Sequence, residues 1–186
     1  DWYLSANLTN EGNLEGHLLP GLDPKGVPKC LMGTAYPFTY NNTREFLGLV
    51  KQYKKNIGVV VIESIRNVEP EKEFIEVITE TTGKLGVILI VDEISAGWRL
   101  TLGGAHLLFG LEPDLAVFAK GMSNGFPMAA VIGKKHVMEV AQETFISSTY
   151  WTERIGPAAA LATIQKMEKR NVSRHLIETG KVVQEG

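Results

Sequence analysis

Two runs with almost no polar position, Gly58-Val59-Val60-Val61-Ile62-Glu63 and Leu85-Gly86-Val87-Ile88-Leu89-Ile90-Val91, constrain the fold more than any other feature of the chain. A half-buried strand alternates apolar and polar residues. A run that is apolar throughout indicates a strand covered on both faces, as in parallel sheets. Between the two runs, Phe74, Ile75 and Ile78 fall on one face of a helix expected over Glu71 to Thr82, with Gly83 as its C-cap. Strand, helix, strand therefore reads as a parallel βαβ unit. Glu63 and Asp92, which end the two runs, then emerge at the same edge.

A third run, Leu115-Ala116-Val117-Phe118-Ala119, leads into Lys120 and the small-residue stretch Gly121-Met122-Ser123-Asn124-Gly125. Only seven residues, Gly121 to Pro127, separate Lys120 from a fourth run, Met128-Ala129-Ala130-Val131-Ile132. A parallel crossover takes about a dozen or more. If the third and fourth runs are neighbours in one sheet, the fourth is antiparallel. The expected class is α/β, with a mixed, mostly parallel sheet and flanking helices. Asn42 and Glu45 have capping-box spacing, and Phe46, Leu49, Val50 and Tyr53 follow at helical intervals. Further helices are expected near Lys135 to Gln142, Arg154 to Lys169 and Ser173 to Gln184. Residues 1–42, rich in Gly, Pro and Asn without a sustained period, read as a long loop or the remains of a truncated region.

Composition excludes several classes of function. With 186 residues, 44% of them hydrophobic and 22% charged, the chain can build one sizeable core. A formal net charge of −2 provides no field to draw in nucleic acid or an anionic membrane. The single cysteine, Cys30, excludes an internal disulfide framework and a multi-cysteine zinc site, so a reducing, cytoplasmic setting is expected. No apolar stretch approaches the roughly 20 residues of a membrane helix. His17, His106, His136 and His175 lack metal-ligand spacing and read as surface or loop histidines. The chain starts without a methionine and stops inside a helix-like pattern, so a fragment is expected.

The chemistry follows from what shares the sheet edge. In open α/β sheets, ligands bind outside the carboxyl ends of the strands. Asp92 and Lys120 would both sit there, an acid and an amine. That pair suits pyridoxal phosphate, with a lysine for the imine and a carboxylate for the ring nitrogen. Imine formation needs a neutral amine, which a desolvated pocket favours. A carboxylate against a pyridine nitrogen favours the protonated ring, which accepts electrons from an adjacent carbanion. Taken singly, a lysine after a strand is an ordinary loop residue, and an Asp-Glu pair is an ordinary cap or ion pair.

The residues resemble the class III pyridoxal-phosphate aminotransferases, in the subgroup similar to glutamate-1-semialdehyde aminomutase. The resemblance runs through Asp92-Glu93-Ile94-Ser95-Ala96-Gly97-Trp98-Arg99, Gly103-Gly104-Ala105, Phe109-Gly110-Leu111-Glu112-Pro113-Asp114-Leu115 and Ala119-Lys120-Gly121. It implies that Lys120 is the Schiff-base lysine and the base that moves protons, and that Asp92 pairs with the ring nitrogen. Ile94 matches the apolar residue packed on the cofactor ring. Glu63 matches the glutamate near the ring hydroxyl, although Ser64 stands where the family usually has proline. Thr149 matches a threonine that reaches the cofactor phosphate of the neighbouring subunit in family dimers; a helix N-cap is the plain alternative. Thr152-Glu153-Arg154 replaces the family's usual Gly-Asn-Pro after it. Residues 21–28 resemble a loop that gates the aminomutase active site.

By the same resemblance, residues 1–170 form part of a fold-type-I large domain, and 171–186 begin the connection to a mostly absent C-terminal small domain. The main phosphate loop, the ring-stacking aromatic and the substrate contacts would precede Asp1. The implied activity is a transaminase moving an amino group between an amino compound and a carbonyl acceptor, in a homodimer with shared active sites, with a 2,1-aminomutase as the alternative. The fragment alone would be inactive. Two rivals from other classes are a non-catalytic scaffold on the same fold, against which Lys120 and Asp92 argue, and a P-loop NTPase with Asp92-Glu93 as Walker B. The latter lacks its GK[ST], since Gly83-Lys84, Gly133-Lys134 and Gly180-Lys181 are followed by Leu85, Lys135 and Val182.

Overall fold

In a computed structural model, residues 29–31 and 33–186 are described, and the chain divides into two compact units, Asp1–Tyr53 and Lys54–Gly186. The gating-loop expectation for residues 21–28 and His17 lie outside the described residues.

In the first unit, helix α1 spans Thr43–Tyr53. Asn42 Oδ1 accepts the Glu45 N–H at 3.0 Å, as the capping-box spacing predicts, but the Glu45 carboxylate reaches back to the Thr39 N–H instead of to residue 42. Phe46 is the buried anchor of the helix, against Phe38, and Tyr36 stacks on Tyr53 with ring centroids 4.0 Å apart.

The second unit is built on four strands, β1 (Val59–Glu63), β2 (Ile88–Asp92), β3 (Leu115–Phe118) and β4 (Ala130–Gly133), in the order β1-β2-β3-β4. The first three are parallel, and β4 returns antiparallel to β3. The short link after Lys120 thus leads where its length requires. Helix α2 (Lys72–Leu85) connects β1 to β2 and buries Phe74, Ile75 and Ile78 as its periodicity predicts. It runs past Gly83. Ile78, Thr82 and Leu85 continue the inward stripe, and the cap is Gly86 at φ +66, whose N–H bonds Gly83 O while Val87 N–H bonds Thr82 O. Gly83 is therefore an interior helix position and not the expected C-cap.

One face of the sheet, carrying Val60, Ile62, Leu89, Val91, Ala116 and Phe118, is buried. Helix α3 (Lys135–Met138) is short and continues as a 3₁₀ turn; α4 (Ile155–Arg170) places Ala160 against Ala116, Phe118 and Met122. Asn171, at φ 46, breaks the chain into α5 (Val172–Glu185). The other face differs from the expectation of double coverage. Val59 is 48% exposed, Val61 57% and Val131 50%. Alternate residues of a strand face opposite ways, and on this second face only the middle strands reach partial burial, at Ile88, Ile90, Leu115 and Val117.

Candidate active site

Register alone brings the site together. Glu63 pairs with Asp92 across β1 and β2, and Asp92 pairs with Val117 across β2 and β3. Lys120 follows at the start of a 3₁₀ turn, Lys120–Met122. Three consecutive parallel strands therefore deliver an acid, an acid and an amine to one edge, and Ile94 lies two residues beyond Asp92.

Asp92 is partly buried, and its Oδ1 accepts the Ile94 N–H at 2.8 Å. That bond orients the carboxylate and leaves Oδ2 for a second donor. Lys120 is exposed, and its Nζ donates to Ser95 Oγ at 2.7 Å. Its backbone has φ 46, the left-handed region that a lysine rarely adopts. Sequence reasoning did not single out Ser95. A lone serine has no spacing signal, and its partner stands 25 positions away.

Ser95 belongs to a loop that folds back over the end of β3. Gly97 N–H bonds Glu93 O and Trp98 N–H bonds Gly103 O, each at 2.8 Å, and Arg99 Nη1 donates to Ser95 O. At Gly97 this loop passes close against the sheet. A Cβ there would lie 2.7 Å from Glu93 O and 2.8 Å from the Phe118 ring.

Glu93 is wholly buried, and its partner His106 corrects an expectation. Its Oε1 accepts the His106 N–H at 2.7 Å and faces His106 Nδ1 at 2.8 Å, and Oε2 accepts the Ala105 N–H at 3.0 Å. Burial alone would raise this carboxyl group; the His106 side chain, the His106 and Ala105 N–H groups and the Ser64 hydroxyl together hold it below its ordinary value. His106, read from sequence as a surface or loop histidine, is only 9% exposed. No sequence pattern shows that a buried acid thirteen positions away needs a donor. His136 and His175 are exposed. Among the described residues no group of three His, Cys, Asp or Glu side chains could hold a metal ion.

The remaining candidates are less directly engaged. Glu63 Oε1 accepts from Arg66 Nη1 at 3.1 Å, so its carboxylate is already paired with an exposed guanidinium. Thr149 is exposed in a turn. The N-terminus of α4 that follows is held by Glu153, whose carboxylate accepts the N–H groups of Ile155 and Gly156. Thr149 is not that helix's cap, and an acid already occupies the place where an anion would be favoured.

Residues 32–186 match the class III aminotransferases, and the chain belongs to that family. It is 34% identical over 154 residues to a 3-aminobutyryl-CoA aminotransferase from Cloacimonas acidaminovorans, covering 79% of this chain and 37% of that protein. It is 32% identical over 168 residues to a glutamate-1-semialdehyde 2,1-aminomutase from Sulfurihydrogenibium azorense, covering 87% of this chain and 39% of that one. The chain thus spans about two fifths of the length of these relatives. Among solved structures it is similar to the PLP internal aldimine form of FumI from Sphingopyxis sp. MTA144, with a TM-score of 0.75 and 25% identity over 81% of this chain and 37% of that one. An omega-transaminase from Sphaerobacter thermophilus shares the fold, with a TM-score of 0.71 and 24% identity over 77% of this chain and 35% of that one. The sheet and its helices are those of the pyridoxal-phosphate transferases of fold type I, and pyridoxal phosphate is the cofactor of the family. The donor set fits it: Asp92 keeps one carboxylate oxygen open, and the Lys120 amine is bonded to a hydroxyl and not locked to an acid.

Proposed function

We propose that this chain is the core of the cofactor site of a pyridoxal-phosphate-dependent transaminase that moves an amino group between an amino compound and a carbonyl acceptor. The observation that carries the reading is the placement of Asp92 and Lys120 at the carboxyl ends of adjacent parallel strands. When bound, pyridoxal phosphate supplies a carbonyl that exchanges amines and a ring that takes up electrons. Asp92, oriented by the Ile94 N–H, holds a proton on the ring nitrogen through its open oxygen. Lys120 would provide the amine that holds the cofactor and the base that moves a proton at the substrate carbon. Ser95 Oγ accepts a hydrogen bond from Lys120 Nζ and so holds the amine in place. Ile94 and Glu63 would help hold the cofactor, Ile94 as an apolar neighbour of the ring and Glu63 as an acid at the same sheet edge.

The whole protein's partners belong to the same reading. The site is completed in a homodimer, with Thr149 reaching the phosphate held by the neighbouring subunit; Phe145, Tyr150 and Trp151, which are 94%, 73% and 67% exposed around it, form the kind of apolar surface such a contact covers. Residues 1–170 belong to the large domain, and 171–186 lead toward a second, smaller one. The setting is cytoplasmic, on the strength of a single, exposed Cys30; among the described residues no helix is long and apolar enough to cross a membrane. An intramolecular 2,1-amino transfer is the second reading, favoured by the aminomutases among the relatives.

Borohydride reduction of the full-length holoenzyme followed by peptide mapping tests the assignment. Label on Lys120, and loss of turnover by orders of magnitude in Lys120→Ala, is the expected result. Label on another lysine overturns it.

A further inference from the structure

The buried Glu93 cluster has no part in the chemistry above, yet it sits next to Asp92 and closes the loop that carries Ser95. The carboxylate is fully buried, whereas the His106 side chain keeps 11% of its surface. Its bonds go to both members of the Ala105-His106 pair, so residues on either side of the loop 94–104 are joined through one side chain. An ionised carboxylate only accepts hydrogen bonds, so His106 Nδ1 carries the proton between them. The fit is close. A Cβ on Gly104 would lie 2.3 Å from His106 Nδ1 and 3.1 Å from Glu93 Oε1, which is why a glycine stands there.

A buried acid is a poor way to add stability, because its desolvation offsets much of what its hydrogen bonds contribute, and an apolar pair of similar volume often serves as well. What the acid adds is direction. Three donors converging on two oxygens fix both ends of the loop, whereas an apolar contact would let it slide. Inside the loop, Ser95 lies two residues from Glu93 and meets Lys120.

We propose that Glu93 and His106 form a positioning pair that clamps the base of the loop 94–104 and so sets the Ser95 hydroxyl on the Lys120 amine. Its catalytic meaning rests on the reading of Lys120 as the cofactor lysine; the physical coupling does not. The pair acts through Ser95 and touches neither cofactor nor substrate.

The test follows the Lys120 amine in the cofactor-free, full-length protein. Trace acylation with acetic anhydride at one fixed pH, with mapping by mass spectrometry, reads how freely Nζ reacts. Ser95→Ala removes the hydrogen-bond partner of Nζ and raises the labelling rate roughly three-fold, the order expected for one hydrogen bond lost. Glu93→Gln and His106→Gln, which lose the clasp but keep its bulk, give the same rise. His106→Asn, whose amide N–H can stand where Nδ1–H stood, returns it to the wild-type rate. Glu93→Gln on the Ser95→Ala background adds nothing further, because both act on one bond.

Wild-type labelling of Lys120 in folded Glu93→Gln, or a rise that adds to that of Ser95→Ala, overturns the proposal and leaves the pair a stability element. If Glu93→Gln fails to fold, the contrast between His106→Gln and His106→Asn decides in the same way. Borohydride label on another lysine would overturn the functional reading and leave these rates untouched; label on Lys120 with unchanged rates would overturn the positioning pair alone.

Discussion

Replacing Gly97 by alanine isolates the close approach on which the active-site loop depends. The position has no positive φ, so the effect is steric and not conformational. The added carbon would stand 2.7 Å from Glu93 O, which is backbone, and 2.8 Å from the Phe118 ring, which is 4% exposed in the core. Ordinary carbon contacts begin near about 3.4 Å, so the loop must lift by roughly 0.6 Å or the ring must leave its rotamer. Such overpacking costs about 1–3 kcal/mol. At about 2–4 °C per kcal/mol for a domain of this size, the melting temperature falls by about 2–12 °C. Lifting the loop also draws Ser95 off Lys120, so activity falls further than stability alone explains. Gly83→Ala is the matched control. Nothing lies within 4 Å of its added carbon, and it sits inside α2, where alanine is better than glycine by about 0.5–1 kcal/mol. The same chemical change therefore destabilises at one site and stabilises at the other. Thermal melts of both variants in the cofactor-free, full-length protein check it, and a Gly97→Ala protein as stable as wild type would refute the steric reasoning.

Asp92→Asn keeps the shape of the residue and removes its charge, so the half-reaction rate should fall by about two orders of magnitude or more with little change in melting temperature; a normal rate with a normal cofactor spectrum would remove Asp92 from its role. Asp114 Oδ2 accepts the Leu89 N–H at 2.8 Å and Oδ1 pairs with Lys134 at 2.9 Å. Burial raises this carboxyl group, but the Leu89 N–H and the Lys134 contacts prevail and hold it below its ordinary value. A lowered carboxylate stabilises the fold above its unfolded pKa and loses that contribution as pH falls through the folded value. Asp114→Asn should thus cost about 1 kcal/mol at pH 7 and progressively less as the pH falls below about 4, seen as converging melting temperatures. Residues 1–186 expressed alone should bind pyridoxal phosphate weakly and show no transaminase activity, since they span 37–39% of the relatives; tight, saturable binding in an absorbance titration would contradict this.

What could be read from sequence was what chain length and burial dictate. The seven residues after Lys120 forced β4 to run back against β3, and the apolar runs placed Glu63, Asp92 and Lys120 at one edge. Where two residues of one type compete for a role, the sequence was silent. Gly83 and Gly86 are both plausible stops for α2, and only the inward stripe through Leu85 shows that the second is the cap. Contacts between distant, unremarkable residues left no mark either, so Ser95 went unnoticed and His106 was read as a surface or loop histidine. The doubly covered sheet was inferred from strands that are apolar throughout, a pattern that reports what a strand is built to face and not which neighbour supplies the cover.

The left-handed backbone at Lys120 bears on how this protein would respond to selection in the laboratory. A residue at φ 46 is strained for any side chain with a Cβ, and glycine or asparagine would sit there more comfortably. A library screened only for thermal tolerance should therefore enrich those two residues at the position proposed for the cofactor lysine, and on that proposal the hardier proteins no longer turn over.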